Sequence, residues 1–187
     1  MRRKPANLVA LIFFLAAAVY YGVMERHQPE KHAFPPSVGR EVTAAVTSVS
    51  DGDTLTVVTE RGEEKIRLIG IDAPELAQRP WGARAKKQLE KLVAQSLYQV
   101  RIEYDVDERD KYGRLLAYVF TREGLFINED LLRNGFAVLY TFPPNVKYVE
   151  RFTAAQKFAQ DTRAGIWGKG GLGTMPSDYR REHPRGG

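Results

Sequence analysis

Apolar and polar positions along this chain follow two periods, and the shorter one predicts β-strands. β-Branched residues are concentrated in 42–49, and polar and apolar residues alternate in 98–104. A polar turn at 60–63 separates two further segments of strand character, which indicates a hairpin. We expect strands at 42–49, 54–59, 65–71, 98–104 and 115–121, and a brief one at 136–140.

Two longer segments carry apolar residues at helical spacing. The predicted helix at 81–97 has an apolar face made of Ala85, Leu89, Leu92 and Val93. The predicted helix at 146–162 has an inner face made of Tyr148, Phe152, Ala155 and Ala159. Between them, Asn128 is in a position to cap a short helix that runs to Leu132.

This order of elements predicts an α+β fold. At 187 residues the chain has the length of about one domain. Short, mostly antiparallel strands without repeated βαβ units favour a small closed barrel with helices packed on it. The pattern by itself leaves several kinds of barrel open.

The amino-terminal segment predicts export. Three basic residues at 2–4 precede an apolar run at 8–24, which is typical of a signal peptide or a signal anchor in residues 1–24. Alanines at 16–18 suit cleavage, but the run also reaches the roughly 17 residues that can span a bilayer. We favour an uncleaved membrane anchor with the domain outside the cytoplasm, and secretion after cleavage is the alternative. Residues 25–40 then predict an exposed linker.

Charge and composition narrow the chemistry. The formal net charge is +5 and the pI is near 9.4, which suits nucleic acid or an anionic membrane, although a generically basic protein has the same balance. The chain has no cysteine, which excludes disulfides, thiolate metal sites and a cysteine nucleophile. His27, His32 and His183 lie in the linker and in a predicted flexible tail at 169–187, which argues against a histidine base or a zinc cluster.

The first candidate motif is Asp51-Gly52-Asp53-Thr54. Asp-Gly is in the first place a turn signal between two strands. The second aspartate adds a carboxylate at the start of the next strand. Carboxylate oxygens suit calcium or magnesium better than zinc.

The second motif runs from Arg67 to Glu75. Arg67 stands in an apolar strand, where an arginine is costly unless it is paired or used. A plain ion pair with Glu64 or Glu103 would satisfy it. Asp72 and Glu75 follow on a bend that Pro74 restricts, and two acids with separate tasks, on a metal and on a water, fit that layout.

The third motif is Asp110-Lys111-Tyr112-Gly113-Arg114. Gly113 can adopt the positive φ that a tight turn requires. Arg114 begins the next strand, and its planar fork can bind two phosphate oxygens at once. A charged surface hairpin without a function would have the same composition.

Together and in this order, the three motifs resemble the signature of the staphylococcal nuclease (thermonuclease) family, over roughly residues 41–167. The resemblance implies an OB-type five-stranded antiparallel β-barrel with about three packed helices, forming a nuclease domain at 41–168 behind the N-terminal hydrophobic helix. Two departures are visible. The loop after Glu75 is short, and the segment at Tyr140 matches only with a one-residue gap, with Phe142 in place of a second tyrosine.

The resemblance also implies a calcium site. Asp53 and Asp72 would bind the ion through their carboxylates, and Ala73 through its backbone carbonyl. Asp51 would act from the outer shell through a water molecule. Ca²⁺ is therefore the expected cofactor.

The remaining motif residues acquire catalytic and substrate roles by the same resemblance. Glu75 would orient or deprotonate the attacking water, and Arg67 and Arg114 would bind the scissile phosphate. The expected substrate contacts are Lys111, Tyr112 and Tyr140.

These inferences predict a calcium-dependent endonuclease that hydrolyses DNA and RNA with little base preference and leaves 3′-phosphate ends. We expect it to act as a monomer, held at the membrane if the N-terminal helix is uncleaved. A non-catalytic nucleic-acid-binding OB module is the alternative, and an anchored domain that binds other proteins is a third. Neither alternative accounts for the combined set of acids and arginines.

Overall fold

A computed structural model describes residues 41–184, so the N-terminal helix and linker expected at 1–40 lie outside the described residues. The strands are β1 Glu41–Val49, β2 Thr54–Thr59, β3 Gly62–Leu68, β4 Ile71–Asp72, β5 Gln99–Glu103, β6 Leu115–Thr121 and β7 Val138–Leu139. The helices are α1 Trp81–Gln95, α2 Ile127–Arg133, α3 Val149–Asp161 and α4 Pro176–Glu182, with a 3₁₀ turn at Gly165–Trp167. Within 41–184 no helix has the length and apolarity needed to cross a membrane.

Five strands close into a barrel in the order β1, β2, β3, β6, β5, and β5 pairs back onto β1. This α+β barrel fits the OB-type fold that the family resemblance implies. The expectation of a wholly antiparallel barrel is wrong at one pairing, because β3 and β6 run parallel. The chain between them passes through α1 and β5, and a long crossover of this kind is what a parallel pair requires.

The barrel encloses an aliphatic core. Every second residue of its strands points inward and is fully or almost fully buried, namely Leu55, Val57, Ile66, Leu68, Val100, Ile102, Ala117 and Val119. The expected strand at 65–71 is interrupted at Gly70, which has a φ of 78° and turns the chain from β3 into β4. That bend carries Asp72 away from the barrel wall.

A second core lies between the outer face of β6 and the helices. Tyr118 packs edge-on against Tyr148 with ring centroids 4.7 Å apart, and Phe120 stacks on Phe126 at 4.3 Å. Phe152 of α3 completes this cluster. The sequence-predicted apolar faces of α1 and α3 are both buried, so this part of the pattern analysis is confirmed.

Asn128 does not cap α2, contrary to the sequence-based expectation. The helix begins at Ile127 with Phe126 at the N-cap, two residues earlier than a cap at Asn128 would place it, and Asn128 is fully buried. Its side chain accepts a hydrogen bond from the Val119 amide at 3.0 Å and donates to the Ile69 carbonyl at 2.9 Å. It therefore satisfies backbone groups where β6 passes the β3–β4 bend.

The carboxyl-terminal segment also differs from expectation. Residues 176–182, predicted as part of a flexible tail, form α4, which begins with Pro176 at its first turn. The single-residue signal of Pro at a helix start is weak among the surrounding glycines, and the helix is fixed by contacts with residues distant in sequence.

Gly52 tests how tightly the β1–β2 turn is packed. A Cβ atom there would lie 2.6 Å from the Cβ atoms of both Ala73 and Ala85. We expect Gly52→Ala to lower the free energy of unfolding by about 1–3 kcal/mol, because the turn cannot move away from α1 without losing contacts. Urea denaturation measures the change.

Gly173→Ala is the matched control. Neither glycine has a positive φ, and a Cβ at Gly173 would have no heavy atom within 4 Å. Its effect should stay within about 0.5 kcal/mol. Equal unfolding free energies for the two variants would contradict the packing described for Gly52.

Candidate active site

The turn after β1 is fixed by its own carboxylates. Asp51 Oδ1 accepts a hydrogen bond from the Asp53 amide at 3.1 Å, the short-range pattern that stabilises Asx turns. The Leu68 amide donates to the Asp53 carbonyl at 2.9 Å, which places the turn against the end of β3. Asp53 is buried, and its Oδ2 accepts from the Ala73 amide at 2.6 Å. Two of the three sequence motifs therefore meet at Asp53.

Arg67 stands at the centre of this meeting point. Its Nε lies 3.3 Å from Asp53 Oδ1, and its Nη2 lies 3.0 Å from Asp72 Oδ1. Its Nη1 donates to the carbonyls of Leu68 and Ile71 at 2.8 Å each, so the guanidinium also holds the β3–β4 bend. One arginine thus contacts both carboxylates that the sequence assigns to a cation.

The plainer explanation for Arg67 is wrong. Glu64 pairs instead with Arg109 at 2.7 Å, and Glu103 pairs with Lys147 at 2.5 Å. Both acids that were considered as simple partners are occupied elsewhere. The buried charge of Arg67 is balanced by the candidate site itself.

Asp72 and Glu75 flank the bend after β4. Asp72 is 1% exposed, and its strand pairs with β7 through Val138. The Glu75 amide donates to Gln78 Oε1 at 2.9 Å, and the Gln78 amide donates back to the Glu75 carbonyl at 2.8 Å. This reciprocal pair fixes the turn that carries the Glu75 carboxylate.

Arg180 of α4 enters the same cluster, and the sequence analysis missed it. Its Nη1 lies 3.0 Å from Asp72 Oδ1 and 3.0 Å from Glu75 Oε1, and its Nη2 lies 2.8 Å from Asp72 Oδ2. The hydrogen bonds to Asp72 are the largest cause of a raised pKa for the Arg180 guanidinium, and the hydrogen bond to Glu75 adds to the shift. The guanidinium therefore stays charged. No spacing rule links residues 108 positions apart, so only the folded chain reveals this contact.

The third motif forms a tight turn around Asp110. Asp110 Oδ1 accepts from the amides of Tyr112 at 2.9 Å and Arg114 at 3.0 Å, and Gly113 has the expected positive φ of 80°. Arg114 donates from Nε at 2.8 Å and Nη2 at 2.7 Å to Asp110 Oδ2. Burial acts to raise the pKa of Asp110, but these hydrogen bonds outweigh it and lower that pKa below its usual value.

Arg114 is therefore not part of the cluster around Arg67, because its guanidinium contacts Asp110. The strand register still relates the two arginines. Arg67 pairs with Leu116 across the parallel β3–β6 ladder, and alternation along the chain puts Arg114 on the face that Arg67 shares. The arginines have a common face without a common partner.

The expected substrate contacts lie at the surface. Tyr112 is 73% exposed, with Lys111 Nζ 5.1 Å from its ring centroid. Tyr140 is partly exposed, and its amide donates to the Gly70 carbonyl at 3.0 Å, beside the β3–β4 bend. Phe142 is also exposed. An aromatic side chain thus stands on the turn that carries Arg114 and another beside the bend that carries Asp72.

The electrostatics of the cluster are close to balance. Asp53, Asp72 and Glu75 face the guanidinium groups of Arg67 and Arg180. Burial raises the pKa of the neighbouring Asp51 carboxyl above its usual value, and the negative charge of Asp53 adds to the shift. Acidic oxygens are thus concentrated in a space where additional negative charge is unfavourable.

The donor set fits a hard divalent cation in its chemistry. Asp53 and Asp72 offer carboxylate oxygens, the ligand type that calcium and magnesium prefer, and Ala73 is buried beside them. Within residues 41–184, however, no three acidic or histidine side chains surround one point as a ready cation site. In this structure the carboxylate oxygens of Asp72 accept hydrogen bonds from Arg67 and Arg180.

Comparisons with known proteins identify similar sequences. The family model for staphylococcal nuclease homologues matches residues 65–169, so the match ends before α4. A thermonuclease of Staphylococcus hyicus is 37% identical over 164 residues, covering 84% of this chain and 95% of that protein. Endonuclease YncB of Bacillus subtilis is 34% identical over 160 residues, covering 80% and 74%. A thermonuclease of Staphylococcus intermedius is 39% identical over 127 residues, covering 65% and 74%.

The lowered pKa of Asp110 predicts a pH-dependent stability term. A carboxylate whose folded pKa is depressed stabilises the fold above its unfolded pKa of about 4, and the contribution disappears as pH falls through the folded pKa. We expect Asp110→Asn to cost about 1 kcal/mol at pH 7, because its charged hydrogen bonds are partly exposed to solvent. Urea denaturation at pH 7, 4 and 3 should show the deficit shrinking.

Asp107→Asn is the control, because Asp107 is an exposed acid in the same loop. It should leave stability unchanged at each pH. A deficit of Asp110→Asn that is as large at pH 3 as at pH 7 would contradict the charge-based explanation.

Proposed function

This chain belongs to the family of staphylococcal nuclease homologues, and on that basis we propose that it is a calcium-dependent endonuclease that hydrolyses DNA and RNA. Family membership supports phosphodiester hydrolysis as the reaction. The observation that carries the assignment to this site is the position of Arg67 between Asp53 and Asp72. This position puts a guanidinium suited to binding phosphate beside carboxylate oxygens suited to binding a cation, within one cluster.

When bound at Asp53 and Asp72, a calcium ion would supply positive charge for a phosphate oxygen and for the pentacoordinate transition state. Arg67 contributes the second positive charge. Its guanidinium is held by two backbone carbonyls, so little reorganisation is needed when it donates to phosphate.

Glu75 is the candidate for orienting or deprotonating the attacking water. Its carboxylate stands at the rim of the cluster, with a side chain that is 19% exposed. The turn locked by Gln78 fixes its backbone. A partly exposed acid beside buried ones suits this role, because water can reach it while the phosphate would face Arg67 and the proposed calcium ion.

Arg114 is the candidate for the second phosphate arginine. Asp110 holds it by two hydrogen bonds on one edge of the guanidinium, which leaves its remaining N–H groups as donors for a phosphate on the shared face. Asp110 is then a positioning residue. Lys111 adds a positive charge on the same turn. Tyr112 and Tyr140 offer exposed rings on which the bases of a bound nucleic acid could stack.

Broad substrate use follows from the nature of these contacts. Arg67, Arg114 and Lys111 are suited to phosphates, which are common to DNA and RNA and carry no base information. Stacking on Tyr112 or Tyr140 tolerates any base. The family resemblance adds 3′-phosphate ends as the expected products, and a single chain contains every proposed group, so we propose that a monomer is active.

Substitution of the proposed catalytic residues should abolish most activity. We expect Arg67→Lys, Glu75→Gln and Arg114→Ala each to lower kcat for plasmid or RNA hydrolysis by about 10²- to 10³-fold, since each removes charge stabilisation or water activation in the transition state. Lysine is used at position 67 because it keeps the charge beside Asp53 and Asp72 but loses the fork. Circular dichroism establishes that the variants are folded.

Arg122→Ala is the matched control for Arg114→Ala. The two arginines border opposite ends of β6, which spans Leu115–Thr121, and Arg122 is exposed. Wild-type kcat is expected for the control. Folded Arg67, Glu75 and Arg114 variants that turn over at the wild-type rate would refute the assigned roles.

Removal of divalent cations should silence the enzyme. We expect hydrolysis to disappear in a calcium chelator and to return when calcium is added in excess, because the carboxylates of Asp53 and Asp72 would repel a phosphate unless a divalent cation offset their charge. Gel assays with and without chelator measure this. Full hydrolysis in the chelator would rule out the cation requirement, and recovery with magnesium alone would rule out the choice of calcium.

A further inference from the structure

The segment from Gly168 to Pro184, here called the C-terminal arm, places an arginine on the acids of the proposed site. Arg180 contacts both oxygens of Asp72 and one oxygen of Glu75 at 2.8–3.0 Å. Asp72 is a proposed cation ligand and Glu75 the proposed water-orienting acid. A single guanidinium from outside the barrel therefore engages two functions of the site at once.

The first half of the arm is held mainly through polar contacts, among them the Gly170 carbonyl, which accepts from Trp81 Nε1 at 3.4 Å. The Thr174 carbonyl accepts from Gln78 Nε2 at 2.8 Å, and the Leu172 amide donates to the Ile166 carbonyl at 3.1 Å. Pro176 is the buried residue of α4. Four of the seven residues at 168–174 are glycines. Within α4, which buries little apolar surface, the Arg180 ion pairs are the main polar contacts with the rest of the domain.

The Arg180 contacts and a divalent cation require the same oxygens. A cation at Asp72 needs at least one carboxylate oxygen at about 2.3–2.6 Å, whereas both oxygens now accept hydrogen bonds from Arg180. Arg67 already contacts Asp72 Oδ1, so a docked Arg180 leaves the ion neither oxygen of Asp72 without a guanidinium contact. The repulsion between the Arg180 guanidinium and a divalent ion then makes the two compete for Oδ2. The positive charge of Arg180 stands in for the ion.

We propose that the C-terminal arm is an autoinhibitory strap in which Arg180 competes with the catalytic cation for Asp72 and Glu75. This inference rests on the proposed calcium-dependent nuclease function. With the arm docked, the carboxylates are neutralised and the protein is inactive. Cation binding displaces the arm, and by thermodynamic reciprocity the docked arm weakens cation binding by the same factor.

Calorimetric titration of the full chain with Ca²⁺ tests the competition. We expect Arg180→Ala to bind Ca²⁺ about 5- to 150-fold more tightly than the wild type, the usual range for coupled equilibria. Arg181→Ala is the matched control, because Arg181 neighbours Arg180 in α4 but, among the described residues, its ion pair is with Asp178 in its own helix at 2.9 Å, and its side chain is 75% exposed. Its affinity should equal that of the wild type. Unchanged or weakened affinity in Arg180→Ala overturns the proposal.

Hydrogen exchange gives a readout that does not depend on activity. In the wild type, Ca²⁺ should accelerate exchange of the amides in α4, whereas Arg180→Ala should exchange fast with or without the ion. Protection of α4 that is unchanged by saturating Ca²⁺ in the wild type contradicts displacement.

Hydrolysis assays separate this inference from the proposed function. At limiting Ca²⁺, Arg180→Ala should cleave faster than the wild type, and at saturating Ca²⁺ the two rates should converge. Loss of activity in Arg180→Ala at saturating Ca²⁺ would identify Arg180 as a substrate-binding arginine and overturn the strap. Equal rates at every Ca²⁺ concentration would remove the strap but leave the nuclease intact. No hydrolysis by any variant at any Ca²⁺ concentration would remove both.

Discussion

The concentration of carboxylates at one end of the barrel is the constraint on which the site depends. Asp53 and Asp72 are almost completely buried, and each would repel the other without a positive partner between them. Arg67 provides that partner and at the same time binds the two carbonyls of the β3–β4 bend. Charge balance and backbone geometry are thus satisfied by the same side chain. A substitution of Arg67 would therefore alter both the β3–β4 bend and the charge around Asp53 and Asp72.

The barrel and the aromatic cluster hold this arrangement from two sides. The Gly52 turn is pressed against Ala73 and Ala85, which fixes Asp53 relative to the loop after β4. Asn128 connects β6 to the β3–β4 bend from the side of the helices. A site made of three separate chain segments is preorganised because each segment is anchored to a different part of the core, and preorganised charges stabilise a transition state without further rearrangement.

A cluster of this kind has two stable ways to be neutralised, by a divalent ion or by a second arginine. Arg180 represents the second way in this structure. The same feature that makes the acids suitable for a cation, their shared burial, also makes them a strong attractor for a guanidinium on a nearby arm. Regulation by competition then requires no second ligand site, because the inhibitor belongs to the chain and its local concentration is set by the short arm.

The sequence by itself determined the elements whose signals are local. The strands at 54–59 and 115–121, the apolar faces of α1 and α3, and the tight turn at Gly113 follow from periodicity and backbone preference over a few residues. The three motifs likewise indicated acids and arginines suited to one reaction, the cation-assisted hydrolysis of a phosphodiester. Only the tertiary structure decided the partners: Arg67 on Asp53 and Asp72 rather than on Glu64, Asn128 in the core rather than at a helix cap, and Arg180 on Asp72 across 108 residues. Pairings of this kind depend on which surfaces the fold brings together, and buried charges select the nearest opposite charge in space, whatever its distance along the chain.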